Sequence, residues 1–210
     1  MNSGILDYDV LATQTQIERT AAAVKARGIE VEVVNTGADA LRRIKQLIPA
    51  GATLTTGASI TLQEIGLEAL LVAKTHPWVN LKDAMLAETD PVKQMELRRQ
   101  STLAEYFLGS VHAIAETGEM VVASATGSQL PSYAFASPNV IWVAGVQKIT
   151  PTLDDAMQRV REYNLPREEQ HMKEMGYPGS MIGKLLIFER EAPYLNRHIT
   201  LILVKEILGV

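Results

Sequence analysis

The chain has 210 residues, 47% hydrophobic and 21% charged, with a formal net charge of −4 and no cysteine. That is enough apolar material for the buried core of one domain. The mild acidity, the lack of a Lys/Arg stripe and an aromatic content of 5% argue against a nucleic-acid binder, and the missing thiols exclude disulfides, thiolate zinc sites, cysteine nucleophiles and any iron–sulfur cluster held by this chain.

The N-terminus, MNSGILDYDV, has no basic stretch followed by an apolar run, so it does not read as a secretory signal. Val10 to Arg27 reads as a helix with Ile17, Ala21 and Val24 on one face and Gly28 in the position that commonly closes a helix. Ile29–Val34 alternates apolar residues with Glu30 and Glu32, as a half-solvated strand does. After the turn Asn35-Thr36-Gly37, a second helix runs from Ala38 to Ile48 and stops at Pro49-Ala50-Gly51. Ala52–Thr56 is a short Thr-rich strand, Gly57-Ala58-Ser59 a turn of small residues, and Thr61 to Ala73 a helix with Leu62, Ile65, Ala69 and Ala73 at helical spacing. Thr61 followed by Glu64 is spaced as a capping box. This βαβα alternation predicts an α/β fold with a mainly parallel sheet.

The rhythm breaks over residues 76–108, which read as a helical insertion, with a polar arm from Pro91 to Leu108. Val111–Ala115 and Met120–Ala123 are short strands around Glu116-Thr117-Gly118-Glu119. The loop Ser124-Ala125-Thr126-Gly127-Ser128 leads into Gln129–Ala136, and Asn139–Ala144 reads as a buried strand. Thr152 and Asp155 cap a helix over Leu153–Tyr163, and Leu185–Glu189 and Ile199–Val204 are the last strands. The apolar run Ile199–Val204 is far too short to cross a bilayer, so a soluble cytoplasmic protein with no membrane contact is expected.

In open α/β sheets ligands sit beyond the carboxyl ends of the strands. The first loop to consider offers Thr56, Gly57, Ser59 and Thr61, where backbone amides at a helix opening attract anions. The second offers Ser124, Thr126, Gly127 and Ser128, with neither a GxGxxG nor a GxxxxGK[ST] spacing. The third holds one cation, Lys148, which pairs with an anionic ligand or lies on the surface. Glu64 and Glu116 are the candidate acid/base or nucleophilic carboxylates. Glu64 equally fits a capping role, and Glu116 equally fits a polar turn. The four histidines lack HxH or HExxH spacing, so no metal site is expected, and no residues identify a bound cofactor. His112, inside an apolar run, reads as a hydrogen-bonded core or edge residue.

Three stretches together resemble one family: GASITLQEIGL (57–67), AIAETGEMVVASATGSQLPSYAFASPNVIWVAGVQKITPTLDDAMQRV (113–160) and RHITLILVKEILGV (197–210). In order and spacing they are similar to the LUD domain, the lactate-utilisation family also called DUF162, from about Arg42 to the end. The resemblance implies the NagB/RpiA/CoA-transferase-like fold, a Rossmann-like α/β sandwich, over a single domain spanning residues 1–210. Gly57, Ser59, Thr61 and Glu64 match the family's G-x-S-x-T-x-x-E stretch. Glu116, Thr117 and Gly118 match its E-T-G turn, and Lys148 and Ile149 match the end of the loop after its central strand. The G-A-S turn is also similar to the phosphate-binding turn of ribose-5-phosphate isomerases, but the Asp-Gly-Ala-Asp stretch of those enzymes is absent. So is the glutamate–glycine context of the CoA-transferase nucleophile.

The resemblance implies a lactate-utilisation protein that binds a small anionic metabolite or a nucleotide-like ligand. Some relatives carry cysteine-rich ferredoxin-like segments and this chain has none. In a lactate-oxidising assembly it would be a cluster-free subunit beside iron–sulfur partner proteins. Two alternatives stand beside this: a stand-alone sugar-phosphate isomerase or acyl/CoA transferase using Glu64 or Glu116, and a non-catalytic homo-oligomeric scaffold associating through residues 91–108 and the last strand.

Overall fold

The structure is a computed structural model that describes residues 7–210; the first six residues of the stretch read as lacking a signal lie outside it. Thr13 opens α1 (Gln14–Lys25). Its hydroxyl accepts the Gln16 N–H at 3.3 Å and the Gln16 side chain accepts the Thr13 N–H at 2.9 Å, so two otherwise orphaned amides are satisfied. The helix is shorter at both ends than its apolar spacing suggests, and Gly28 follows it with φ +81°. After the edge strand β1 (Glu30–Val34), Thr36 and Asp39 form the capping box of α2 (Gly37–Leu47).

The chain continues through β2 (Thr53–Thr56), α3 (Ile60–Glu64), α4 (Leu67–Val72), β3 (Val79–Asn80), α5 (Leu81–Ala87), α6 (Pro91–Gln100), β4 (Tyr106–Gly109), β5 (Ala113–Ala115) and β6 (Met120–Ser124). Then come β7 (Asn139–Gly145), β8 (Ile149–Thr150), α7 (Leu153–Arg159), α8 (Leu165–Glu174), β9 (Lys184–Phe188) and β10 (His198–Val204). A π-helical turn at 160–164 joins α7 to α8.

Two sheets form. The larger is parallel throughout, in the order β1-β10-β7-β4-β2-β3. The smaller has the order β8-β5-β6-β9 and is mixed. Side-chain alternation along β7 shows why the large sheet is covered on both faces. Val140, Trp142 and Ala144 pack with α1, the small sheet and Leu201 and Leu203 of β10. Ile141 and Val143 point the other way, into a core with Ile44 of α2, Leu62 of α3 and Leu67 and Leu71 of α4. The outer face of the small sheet is closed by Ala156 and Val160 against Ala113 and Val121. Each fully buried Leu, Ile or Val contributes about 1.5–3 kcal/mol.

The mixed α/β architecture with a mainly parallel sheet matches the sequence expectation; the second sheet does not follow from it. Four expectations are corrected. The helix expected over 61–73 is two short helices, because Gly66 takes a left-handed φ of +82° between them. The expected insertion runs too far: Tyr106–Gly109 is an inner strand of the large sheet, and Tyr106 and Leu108 belong to its packing, not to a helical arm. Trp78 within that region is also core, donating its indole N–H to the Ile48 carbonyl at 3.1 Å. Finally, the last strand cannot mediate self-association, because β10 lies between β1 and β7 with every residue after His198 buried.

Candidate functional site

β2, β4, β7 and β10 all run the same way, so the residues that follow them meet at one edge of the large sheet. After β7 the chain makes a single 3-10 turn, Val146–Lys148, that brings Lys148 over the strand ends. Gly145 makes this packing feasible. A Cβ there would lie 2.5 Å from the Glu206 carbonyl and 2.8 Å from the Leu208 amide, so only glycine lets the segment after β10 cross so closely.

Lys148 is 2% exposed. Its Nζ donates to Oγ1 of Thr61, in the first turn of α3, and to Oγ of Ser110, just after β4, each at 3.1 Å. Among the described residues no carboxylate lies within ion-pair distance of it. Burial first, and then the Arg159 charge, push its pKa down to about 7 against the opposing pull of Glu64. The ammonium and the neutral amine are therefore both populated near neutral pH.

Ser59 is the residue that caps α3. Its Oγ accepts the Leu62 N–H at 3.3 Å. Thr61 is thus not a cap and Glu64 is not its capping-box partner, contrary to the spacing in the sequence. Ser is a favoured cap and stands two residues earlier, which frees the Thr61 hydroxyl to face Lys148. Glu64 instead accepts the Gly209 N–H at 2.6 Å. The Leu208 carbonyl accepts from Gln147 Nε2 at 2.9 Å and lies 3.4 Å from Thr61 Oγ1. A Cβ on Gly209 would fall 2.3 Å from that oxygen and 3.1 Å from Lys148 Nζ. Residues 208–209 thus lie over the Thr61 end of the opening, while Ala58 at its other end stays exposed. Thr56, at the end of β2, is buried, and its hydroxyl has no partner among the described residues.

The second loop adjoins the first without sharing its chemistry. A Cβ on Gly57 would be 3.8 Å from the Gln129 Cβ and 3.7 Å from the Tyr133 hydroxyl. Ser124, however, accepts the Gly127 N–H at 2.8 Å and bonds Gln129 at 2.9 Å, while Thr126 and Ser128 bond each other at 3.1 Å. These polar groups satisfy one another, at the end of a strand of the small sheet. Glu116 is also elsewhere. It is buried, pairs with Arg19 and accepts from Gln16 Nε2 at 2.9 Å, tying α1 to the small sheet. No hydrogen bond or ion pair links it to Glu64 or Lys148.

Sequence reasoning missed Ser110, Gln147 and Arg159. Arg159 is fully buried, bonds the His112 carbonyl and Asn164 Oδ1 (3.0 Å), and lies 4.7 Å from the centre of the Tyr163 ring. Its Nε and Nη2 have no hydrogen-bond partner among the described residues. The available signal was its place in an apolar stripe with Ala156 and Val160. His112 accepts the Ala123 N–H at Nδ1 (3.2 Å), and burial together with Lys148 and Arg159 pushes it down to about 3, so it is neutral at physiological pH. Among the described residues no group of three or more His, Cys, Asp or Glu could hold a metal ion, and no helix is long and apolar enough to cross a membrane.

The family model of the LUD domain matches residues 17–183. No curated protein matches the chain. A crystal structure of a DUF162 family protein from Deinococcus radiodurans superposes with a TM-score of 0.56 at 11% identity, covering 93% of this chain and 99% of that one. At that identity the likeness speaks for the fold alone.

Proposed function

Because this chain belongs to the LUD-domain family, which is associated with lactate utilisation, we propose that it binds a small carboxylate, of the 2-hydroxy or 2-oxo acid class, at the strand ends around Lys148. One observation carries this reading: a buried amine held by two hydroxyls with no carboxylate paired to it. An unpaired buried cation is costly, and a ligand carboxylate would supply the missing countercharge. Binding would raise the Lys148 pKa, so it would take up a proton. Thr61 and Ser110 can turn their hydroxyls to donate to the same ligand. Entry requires Gly209 to move aside.

With no cysteine in the chain, any electrons leaving such a substrate would pass to iron–sulfur partner proteins. The protein would then act as a cluster-free cytoplasmic subunit of an L-lactate oxidation system. A second reading, a stand-alone isomerase or acyl transferase, is favoured by the orientation of Glu64, which reaches across to Gly209 instead of folding onto its own helix. Glu116 has no comparable support.

Thermal unfolding of wild type and Lys148→Met with lactate, pyruvate or a sugar phosphate tests the reading. Ligand at a hundred times its dissociation constant adds about 2.7 kcal/mol. Stabilisation of wild type alone by the two carboxylates is the expected result. No stabilisation, or equal stabilisation of the variant, contradicts it. Selective stabilisation by the sugar phosphate, lost in Glu64→Gln, supports the second reading.

A further inference from the structure

We infer that Lys148 is a covalent site: its amine condenses with the carbonyl of a 2-oxo acid to form an imine, and residues 208–209 are the cover that moves to admit the acid. The inference rests on the reading of this site as a carboxylate site, and adds a bond-forming step to it. Lys148 Nζ has the surroundings of a nucleophilic amine, with both neighbouring side-chain oxygens being hydroxyls, at 3.1 Å each, and no carboxylate to hold it as a cation. The charged groups acting on it are Arg159, which favours the neutral amine, and Glu64, which opposes this. With a pKa near 7, its neutral fraction at pH 7 is roughly a thousandfold that of an ordinary lysine.

The step balances without an oxidant. Nζ attacks the carbonyl carbon, a C–N bond forms, and the carbonyl oxygen takes a proton to give a carbinolamine. The C–O bond then breaks and that oxygen leaves as water with the two hydrogens the amine has lost. The imine takes one proton from solvent to become an iminium. Thr61 and Ser110 are placed to relay protons to and from the departing oxygen. The iminium restores a fixed positive charge beside the acid's own carboxylate, which is the reason to expect a 2-oxo acid and not a simple ketone.

The cover is built to move in part. Leu208 is buried in the core and Glu206 accepts the Gly37 N–H at the start of α2 (2.8 Å). Beyond them Gly209 lies against Nζ at φ +63°. An alanine at Gly209 is strained, collides with Thr61 Oγ1 and crowds Lys148 Nζ, so Gly209→Ala should lift the cover and leave the core intact.

The experiment is reductive trapping of the full-length protein with pyruvate and borohydride near pH 7, followed by peptide mass analysis, with thermal unfolding in pyruvate alongside. The expected result is an adduct at Lys148 at least about tenfold faster than at exposed lysines, faster again in Gly209→Ala, and absent from that position in Lys148→Arg and Lys148→Met. Stabilisation by pyruvate without an adduct at Lys148 overturns the covalent step and leaves carboxylate binding standing. Labelling at Lys148 no faster than at exposed lysines also overturns it. Neither stabilisation nor adduct, in wild type and in Gly209→Ala alike, overturns both.

Discussion

Lys148 donates to Thr61 across 3.1 Å although 87 positions separate them. The contact keeps a titratable amine out of water and therefore leaves a mark on stability. The folded-state pKa of about 7 lies below the ordinary 10.5, so the unfolded chain binds more protons between those values. Stability should rise with pH across that window, by up to about 1.4 kcal/mol per pH unit from this group, and the burial penalty is fully present below pH 7. Urea unfolding at a series of pH values should show this slope in wild type and a flatter one in Lys148→Met, which should also be more stable below pH 7. Identical slopes would show that Lys148 titrates normally.

His112 gives the complementary window at lower pH. Its pKa of about 3, against the ordinary 6.5, means that the unfolded chain binds the extra proton between those values. The group therefore contributes a stability loss as pH falls from 6.5 towards 3. The His112 imidazole signals in an NMR titration should stay unchanged between pH 5 and 8. A midpoint near 6.5 would place the ring in solvent.

Gly109 and Tyr133 make a steric pair. A Cβ on Gly109 would fall 1.7 Å from the Tyr133 hydroxyl and 2.8 Å from its ring carbon. Gly109→Ala should destabilise the protein by about 1–3 kcal/mol through overpacking. Adding Tyr133→Phe should recover about 1 kcal/mol, measured as a double-mutant coupling in chemical denaturation. Strict additivity would mean that the two do not meet.

Glu116 separates anchoring from chemistry. Its partners are Arg19 and Gln16 on α1, so Glu116→Gln should cost about 1 kcal/mol of stability while leaving stabilisation by pyruvate unchanged. Loss of the ligand effect with stability intact would return Glu116 to the site.

Much of the large sheet was legible because its signals are local. Thr152 with Asp155 caps its helix as the spacing suggests, and the runs NVIWVA and ITLILV are inner strands. Tyr106–Gly109 was not legible, because four residues after a polar helix carry no periodicity of their own. The strand is defined by its neighbours β2 and β7. At the site, Lys148 and Thr61 could be named from sequence, but not their contact. Nor could the covering by residues 208–209 be read, since an association across the whole chain leaves no trace in local spacing. The best cap was misassigned for a simple reason: Ser59 and Thr61 both fit, and only the packing of Thr61 against Lys148 decides between them.

The most direct test of the account is isothermal titration of pyruvate into wild type and Lys148→Met at pH 8, in two buffers of different ionisation enthalpy. Binding to wild type should show a heat that differs between the buffers by the uptake of a fraction of a proton, and Lys148→Met should show no binding. Binding that is independent of buffer and survives in Lys148→Met would contradict the assignment of this amine as the group that meets the ligand.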